Sequence, residues 1–288
     1  MIIDAHTHVW KRWPYKPEPP DAATRGDAEL LIHEMDAHGV DEAIVICASI
    51  SGNPDNAAHA AAQAQRFAGR LHLFPDVDCE WHDTYHAPGA AARLEAAVQR
   101  GRDAGMSVPG FTHYLRNDDD GAWLLGDEGE AFLAAAERSG LIASLSIKPH
   151  AQPALREAAR RHPGVAFLCH HLGWAQADEP APYAELQQVL DSAAADNICV
   201  KVSNFSHAAA LKWDFPYKPV QRIVKALYEH YGAQRLCWGS DHPVVRRSMT
   251  YRQAIESFRH HCDFVGEDDR QRILGGTMRG LLEGTTDA

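Results

Sequence analysis

Ile2-Ile3-Asp4-Ala5-His6-Thr7-His8 is a short apolar run that ends in two histidines spaced i, i+2. A β-strand sends residues i and i+2 to the same face. Both imidazoles therefore reach toward one point at the C-terminal end of this strand. Neutral ring nitrogens placed in that way suit a divalent metal. A second segment near the other end of the chain, Trp238-Gly239-Ser240-Asp241-His242-Pro243, sets a carboxylate at the end of another apolar run.

Working outward from the first strand, seven further strand-like segments appear. They are 42–47, 71–78, 108–115, 142–149, 165–173, 198–204 and 236–243. Most are continuous apolar runs rather than alternations, the pattern of strands covered on both faces in a parallel sheet. Amphipathic stretches rich in Ala, Leu, Glu, Gln and Arg lie between them, at 57–68, 90–104, 129–139, 152–161, 183–195, 219–231 and 251–264, with a last helix at about 267–282. Gly69, Gly105, Gly140 and Gly232 read as helix stops. Eight β/α units in succession predict a TIM-type (β/α)8 barrel, built as one domain over 1–288. The longest loops, including 9–28, 79–89, 116–127 and 204–218, follow strands, where barrels of this type carry their active sites.

Composition narrows the partners. The chain has 39 acidic against 28 basic residues, a formal net charge of -11. Phosphate binding needs a basic footprint, so nucleic acid and an anionic membrane surface are excluded as expectations. No apolar run reaches the roughly 18 residues of a membrane span. The first residues show no basic-then-apolar leader pattern. The six cysteines have no CxxC spacing, and four of them lie in or at the ends of strand segments. They read as reduced core residues, and the expected location is the cytoplasm. Assembly of identical chains into a homo-oligomer is left open by these features.

In a closed barrel the eighth strand adjoins the first. Asp241 then reaches the same point as His6 and His8, as a third metal ligand or as the base that takes a proton from water. His170 and His171 close the sixth strand with opposite parity, so only one of them is expected to face inward. An inward imidazole there serves as ligand, base or polariser of a carbonyl. His113 and Arg116, near the end of the fourth strand, and Lys201, inside the seventh, are candidates for holding an anionic substrate. A buried unpaired ammonium is costly, so Lys201 must either meet an anion at the site or turn to the rim. Trp13, with Trp10, Arg12 and Tyr15, is a candidate lid over the substrate.

Asp-Ala-His-Thr-His on the first strand, His-His-Leu-Gly on the sixth and Gly-Ser-Asp-His-Pro on the eighth together resemble the amidohydrolase superfamily. The similarity is to the amidohydrolase-related branch of sugar-acid, muconolactone and pyrone-dicarboxylate lactonases and metal-dependent decarboxylases. The resemblance implies His6, His8 and Asp241 as metal ligands, Asp241 as ligand or base, and His171, directly before Leu172-Gly173, as the inward catalytic histidine. It implies one divalent metal, zinc or manganese, although some lactonases of the branch work without one. Many members carry a lysine on the fourth strand that bridges two metals. Gly110-Phe111-Thr112-His113-Tyr114 has none, so a binuclear site is not expected. His150, after the fifth strand, would complete the ligand set of a decarboxylase. The leading expectation is a hydrolase of a small cyclic ester bearing an acidic group. The alternative is non-oxidative decarboxylation of an aromatic or unsaturated acid at a single metal. A barrel that only binds is disfavoured by four chemically apt residues at one rim.

Overall fold

The computed structural model of the chain describes residues 1–284. All eight expected strands form, as β1 (Ile3–Thr7), β2 (Glu42–Ile46), β3 (Leu71–Phe74), β4 (Gly110–Tyr114), β5 (Ile142–Ser146), β6 (Ala166–Cys169), β7 (Ile198–Ser203) and β8 (Leu236–Gly239). Every ladder between them is parallel. The larger helices are α1 (Ala28–His38), α2 (Asn56–Arg66), α3 (Ala90–Asp103), α4 (Asp127–Arg138), α5 (Gln152–Arg161), α6 (Ala184–Asp191), and, beyond the one-turn α7 (Phe205–Ala208), α8 (Lys218–Tyr231) and α9 (Tyr251–Arg259). The chain ends in α10 (Glu267–Gln271) and α11 (Thr277–Gly284). The sequence pattern placed no helix at α1, whose charged and histidine-rich face dilutes its apolar stripe.

The architecture is a (β/α)8 barrel whose ladder is interrupted twice. Continuous hydrogen bonding joins β1-β2-β3 and β4 through β8, and isolated bridges, Thr7 with His242 and Asp76 with Thr112, span the two seams. Inside the barrel, Ile3, Ala5, Ile44, Ile46, Phe74, Ile142, Leu168, Cys199 and Cys237 pack together with Met278 of α11. The opposite faces of the strands pack against the helices, with Val45, Phe111, Leu145, Phe167, Val200 and Trp238 among them. Burial on both faces explains why the strands read as apolar runs. All six cysteines are buried and unpaired. Among the described residues no helix is long and apolar enough to cross a membrane.

The first strand is not regular. Its register against β2 shifts between Asp4 and Thr7. Ile3 and Ala5 belong to the interior, and strict alternation would turn His6 outward. The bulge inserts one extra residue into the pairing, so His6 follows Ala5 onto the inner side and His8 keeps step with it. Asp4 faces the other way. Its Oδ1 accepts from the backbone N–H of Ser240 at 2.8 Å and of His6 at 3.1 Å, and its Oδ2 from the Tyr251 hydroxyl at 2.9 Å. This carboxyl thus laces β1 to β8 and α9 across an open seam.

Gly110 begins β4 where backbones approach closely. A Cβ there would lie 2.6 Å from the Ile142 carbonyl oxygen and 2.6 Å from the Phe74 ring. Gly110→Ala should therefore cost about 3 kcal/mol in a guanidinium unfolding titration. Gly280→Ala, on an exposed position of α11 with open space around it, should gain up to about 1 kcal/mol. Equal midpoints for the two variants would show that the strands can part at Gly110.

Candidate active site

The mouth at the C-terminal ends of the strands gathers the chemistry. His6 Nε2 lies 3.2 Å from His8 Nε2, and Asp241 Oδ1 lies 3.5 Å from the first and 3.2 Å from the second. Two backbone bonds across the seam set this triad: Asp241 N–H to His6 O at 2.8 Å and His8 N–H to His242 O at 2.7 Å. Asp241 adopts a left-handed φ of 62°, which turns its side chain off the strand and over the seam.

Each member is oriented from behind. His8 Nδ1 faces the Ile46 carbonyl at 2.8 Å, and a carbonyl only accepts, so Nδ1 carries the proton and Nε2 presents its lone pair to the mouth. His8 also stacks on Trp10, with centroids 4.6 Å apart. His6 Nδ1 meets Lys201 Nζ at 3.1 Å, and Lys201 also donates to Ser144 Oγ at 2.8 Å. Burial lowers the Lys201 ammonium to about 7, although Cys237, Asp4 and Asp241 pull it upward. Near neutrality Lys201 can therefore donate to His6 Nδ1 or accept from it, and only the second arrangement frees His6 Nε2 as a ligand. Asn204 Nδ2 donates to Asp241 Oδ2. Burial by itself would raise the Asp241 carboxyl, but His171, His8 and His207 outweigh it and hold the group below its ordinary range. Asp241 Oδ1 is buried and has no hydrogen-bond partner. An orphaned carboxylate oxygen beside two imidazole nitrogens is the donor set of a divalent cation, and the residues fit one.

His170 and His171 both reach this cluster. Their ring centroids lie 4.6 and 4.5 Å from that of His6. The expectation that only one could face inward fails because β6 ends at Cys169. His170 continues the inward parity of Leu168. From His171 to Trp174 four successive residues take left-handed φ values of 42°, 58°, 64° and 63°, which swing His171 back over the mouth. His170 Nε2 bonds Ser144 Oγ at 2.8 Å, and His171 Nδ1 bonds Ser203 Oγ at 2.9 Å. Burial pushes the His171 imidazolium down to about 3 and drives His170 down as well, so both rings are neutral.

Four other expected positions move. His113 faces outward between β4 and α4, with Nδ1 on the Val77 carbonyl at 3.0 Å and its ring near Trp123 and Phe132. Parity explains this: Tyr114, not His113, is the inward residue at that end of β4. Lys201 does point inward, but it is fully buried beneath His6 and meets no anion. Arg116 is exposed, with its guanidinium 4.6 Å above the Tyr85 ring. Trp13 packs within the lid itself, against Trp10 and Tyr15. His150 is exposed, with Nε2 facing the Asp119 carbonyl at 3.0 Å.

Residues outside the expected site set line the mouth instead. Tyr114 sits 4.9 Å from the His170 ring and 4.8 Å from Trp81. Lys148 Nζ lies 3.4 Å over Trp174, whose ring stacks on His207. Inward parity along β4 and β5 would have flagged Tyr114 and Ser144. The turn that brings Trp174 and His207 inward left no periodic signal.

A parallel (β/α)8 barrel with two histidines from β1, one carboxylate from β8 and neutral histidines after β6, all at one mouth, is a hydrolase. The chain belongs to the amidohydrolase family, whose model matches residues 3–282. It is 26% identical over 287 residues to an L-fucono-1,5-lactonase of Burkholderia ambifaria, with 95% of this chain and 92% of that protein covered. Its fold is similar to a zinc-bound amidohydrolase from Burkholderia multivorans, with a TM-score of 0.78, 18% identity and 98% and 99% coverage. It is also similar to a probable 2-pyrone-4,6-dicarboxylic acid hydrolase from Acinetobacter baumannii with citric acid bound, with a TM-score of 0.75, 19% identity and the same coverage.

The outward His113 yields a pH prediction. Burial holds its imidazolium down to about 4, with the Val77 carbonyl offsetting part of the effect. The unfolded chain takes up this proton near pH 6.5, before the folded one does, so stability falls as the pH drops from about 6.5 to 4. Replacing His113 by Asn should remove about 3 kcal/mol of that loss, read as the difference between wild-type and variant unfolding free energies across this window. Parallel pH profiles would show that His113 is solvated in the native state.

Proposed function

We propose that this protein hydrolyses a small cyclic ester, a lactone that carries an acidic group. The observation that carries the reading is the unpartnered Oδ1 of Asp241, held ionised at the mouth beside His6 and His8. The similarity to a lactonase along nearly the whole chain supports the same chemistry.

A divalent cation on His6, His8 and Asp241, zinc or manganese, would supply Lewis acidity to the carbonyl and acidity to the bound water. The chain's own residues do the rest. Asp241 takes the proton of the attacking water, and Asn204 keeps its other oxygen fixed. When the Ser203 hydroxyl donates to Nδ1 of His171, the neutral ring presents an Nε2–H that can polarise the carbonyl. Lys148, and Arg247 above Tyr15, place positive charge at the rim for the acidic group. They take the role expected of Arg116 and Lys201. Decarboxylation would call on a histidine after β5, and His150 lies outside the cluster. A cytoplasmic location agrees with the six free thiols.

Zinc-loaded protein should retain at most one metal per chain by elemental analysis, and His8→Ala should lose it. Two metals per chain would overturn the mononuclear reading. On the lactone turned over fastest, His171→Asn should lower kcat by about 10²–10⁴-fold with little change in melting temperature. His170→Asn should have the smaller kinetic effect, because that ring is engaged by Ser144 below the mouth. Carbon dioxide release from an aromatic acid, with no lactone hydrolysed, would replace the hydrolase by the decarboxylase.

A further inference from the structure

Segment 9–27 crosses the barrel mouth, and its aromatic residues form a small core of their own with Ala48 and Val244. Trp10 is locked by its indole N–H on the Ala48 carbonyl at 2.8 Å and by stacking on the candidate ligand His8. Tyr15 stands edge-on to Trp10 at 5.9 Å and to Trp13 at 5.2 Å. Its ring position is thereby keyed to the triad through one intervening indole. The Tyr15 hydroxyl has no hydrogen-bond partner among the described residues, although the side chain is largely buried. A desolvated phenol without a partner at an active-site mouth is a donor awaiting an acceptor.

A second phenol, Tyr114, approaches the same space from β4. Their surroundings differ. Burial, then Asp241, raise the Tyr15 hydroxyl above its ordinary range, but the Arg247 guanidinium, 5.8 Å over the ring, counters them. For Tyr114, burial, Asp241, Tyr15, Cys79 and Asp76 all act upward, and no cation opposes them. Tyr15 is therefore the better donor toward an oxygen that gains negative charge. It also enters from the lid, on the solvent side of the triad, while Tyr114 sits against His170.

We propose that the Tyr15 hydroxyl is a catalytic donor that hydrogen-bonds the ring oxygen of the lactone as its bond to the carbonyl carbon breaks. This rests on the lactone-hydrolase reading. An aliphatic lactone expels a strongly basic alkoxide, which needs such a donor. An aryl lactone expels a phenolate, which spreads its own charge and needs it far less. Tyr15 thus suits the site to lactones of aliphatic hydroxy acids, the sugar lactones among them.

The test is Tyr15→Phe, which keeps the ring and its packing, assayed on glucono-1,5-lactone and on 3,4-dihydrocoumarin beside the wild type. The expected result is a kcat loss of about 10²-fold on the sugar lactone and under about threefold on the aryl lactone. The melting temperature should be unchanged. Equal losses on both substrates, or none on either, would overturn the assignment. So would a leaving-group-dependent loss in Tyr114→Phe with Tyr15→Phe unaffected, which would move the donor to β4. A wild type inactive on every lactone removes the reading and this inference together. A wild type active on both, with Tyr15→Phe at full rate, removes the inference alone.

Discussion

The seam between β8 and β1 is where the two ends of the chain meet, and the rest of the site depends on it. No regular ladder runs along it. Two backbone hydrogen bonds and the Asp4 carboxylate hold it instead, and the same two bonds set the heights of Asp241, His6 and His8. A full ladder would keep Asp241 in strand geometry, with its side chain committed to one face. The open seam lets Asp241 take its left-handed turn and lean over the gap. The weakness of pairing at this edge and the convergence of the triad are one feature, and Asp4 and Tyr251 brace it from outside.

Crowding at the mouth is possible because nearly everything there is uncharged. Four imidazoles and two phenols lie close to a single carboxylate. Burial keeps His6, His170 and His171 from protonating, so they do not repel one another or a cation. Lys201 is the exception, a full-length ammonium side chain with no exposure. Its pairing with His6 and Ser144 replaces water, and its lowered affinity for a proton limits the charge it brings. The site is thus arranged to keep one negative charge, on Asp241, and to let its partners adjust by exchanging protons over short distances.

Much of this was legible from residue order. Eight apolar runs of strand length, separated by amphipathic stretches, specify a parallel barrel, because burial on both faces and period 3.6 leave direct marks in sequence. The His-x-His pair and Asp241 were legible for the same reason, since strand ends in a barrel have a known place. Three things were hidden. The β1 bulge leaves no mark of its own in the sequence, and simple alternation would have sent His6 to the wrong side had the two histidines not been read as a pair. The parity rule failed at His170-His171 because strand geometry stops one residue earlier than the apolar run does. His113 was misplaced by proximity to a strand end, where the parity of Tyr114 should have ruled. Lys201 was correctly recognised as costly, but its solution was a neutral imidazole and a hydroxyl rather than an anion.

The bulge has a consequence for how this enzyme can change. It divides seven residues into two half-strands with different phases. The lower half, Ile3 and Ala5, answers to the barrel interior; the upper half, His6 and His8, answers to the mouth. Packing and chemistry therefore draw on separate stretches of one strand. The interior can be refitted with other apolar residues without rotating either imidazole, and the lid and rim can be rebuilt around a new substrate without disturbing the layer that keeps the barrel shut.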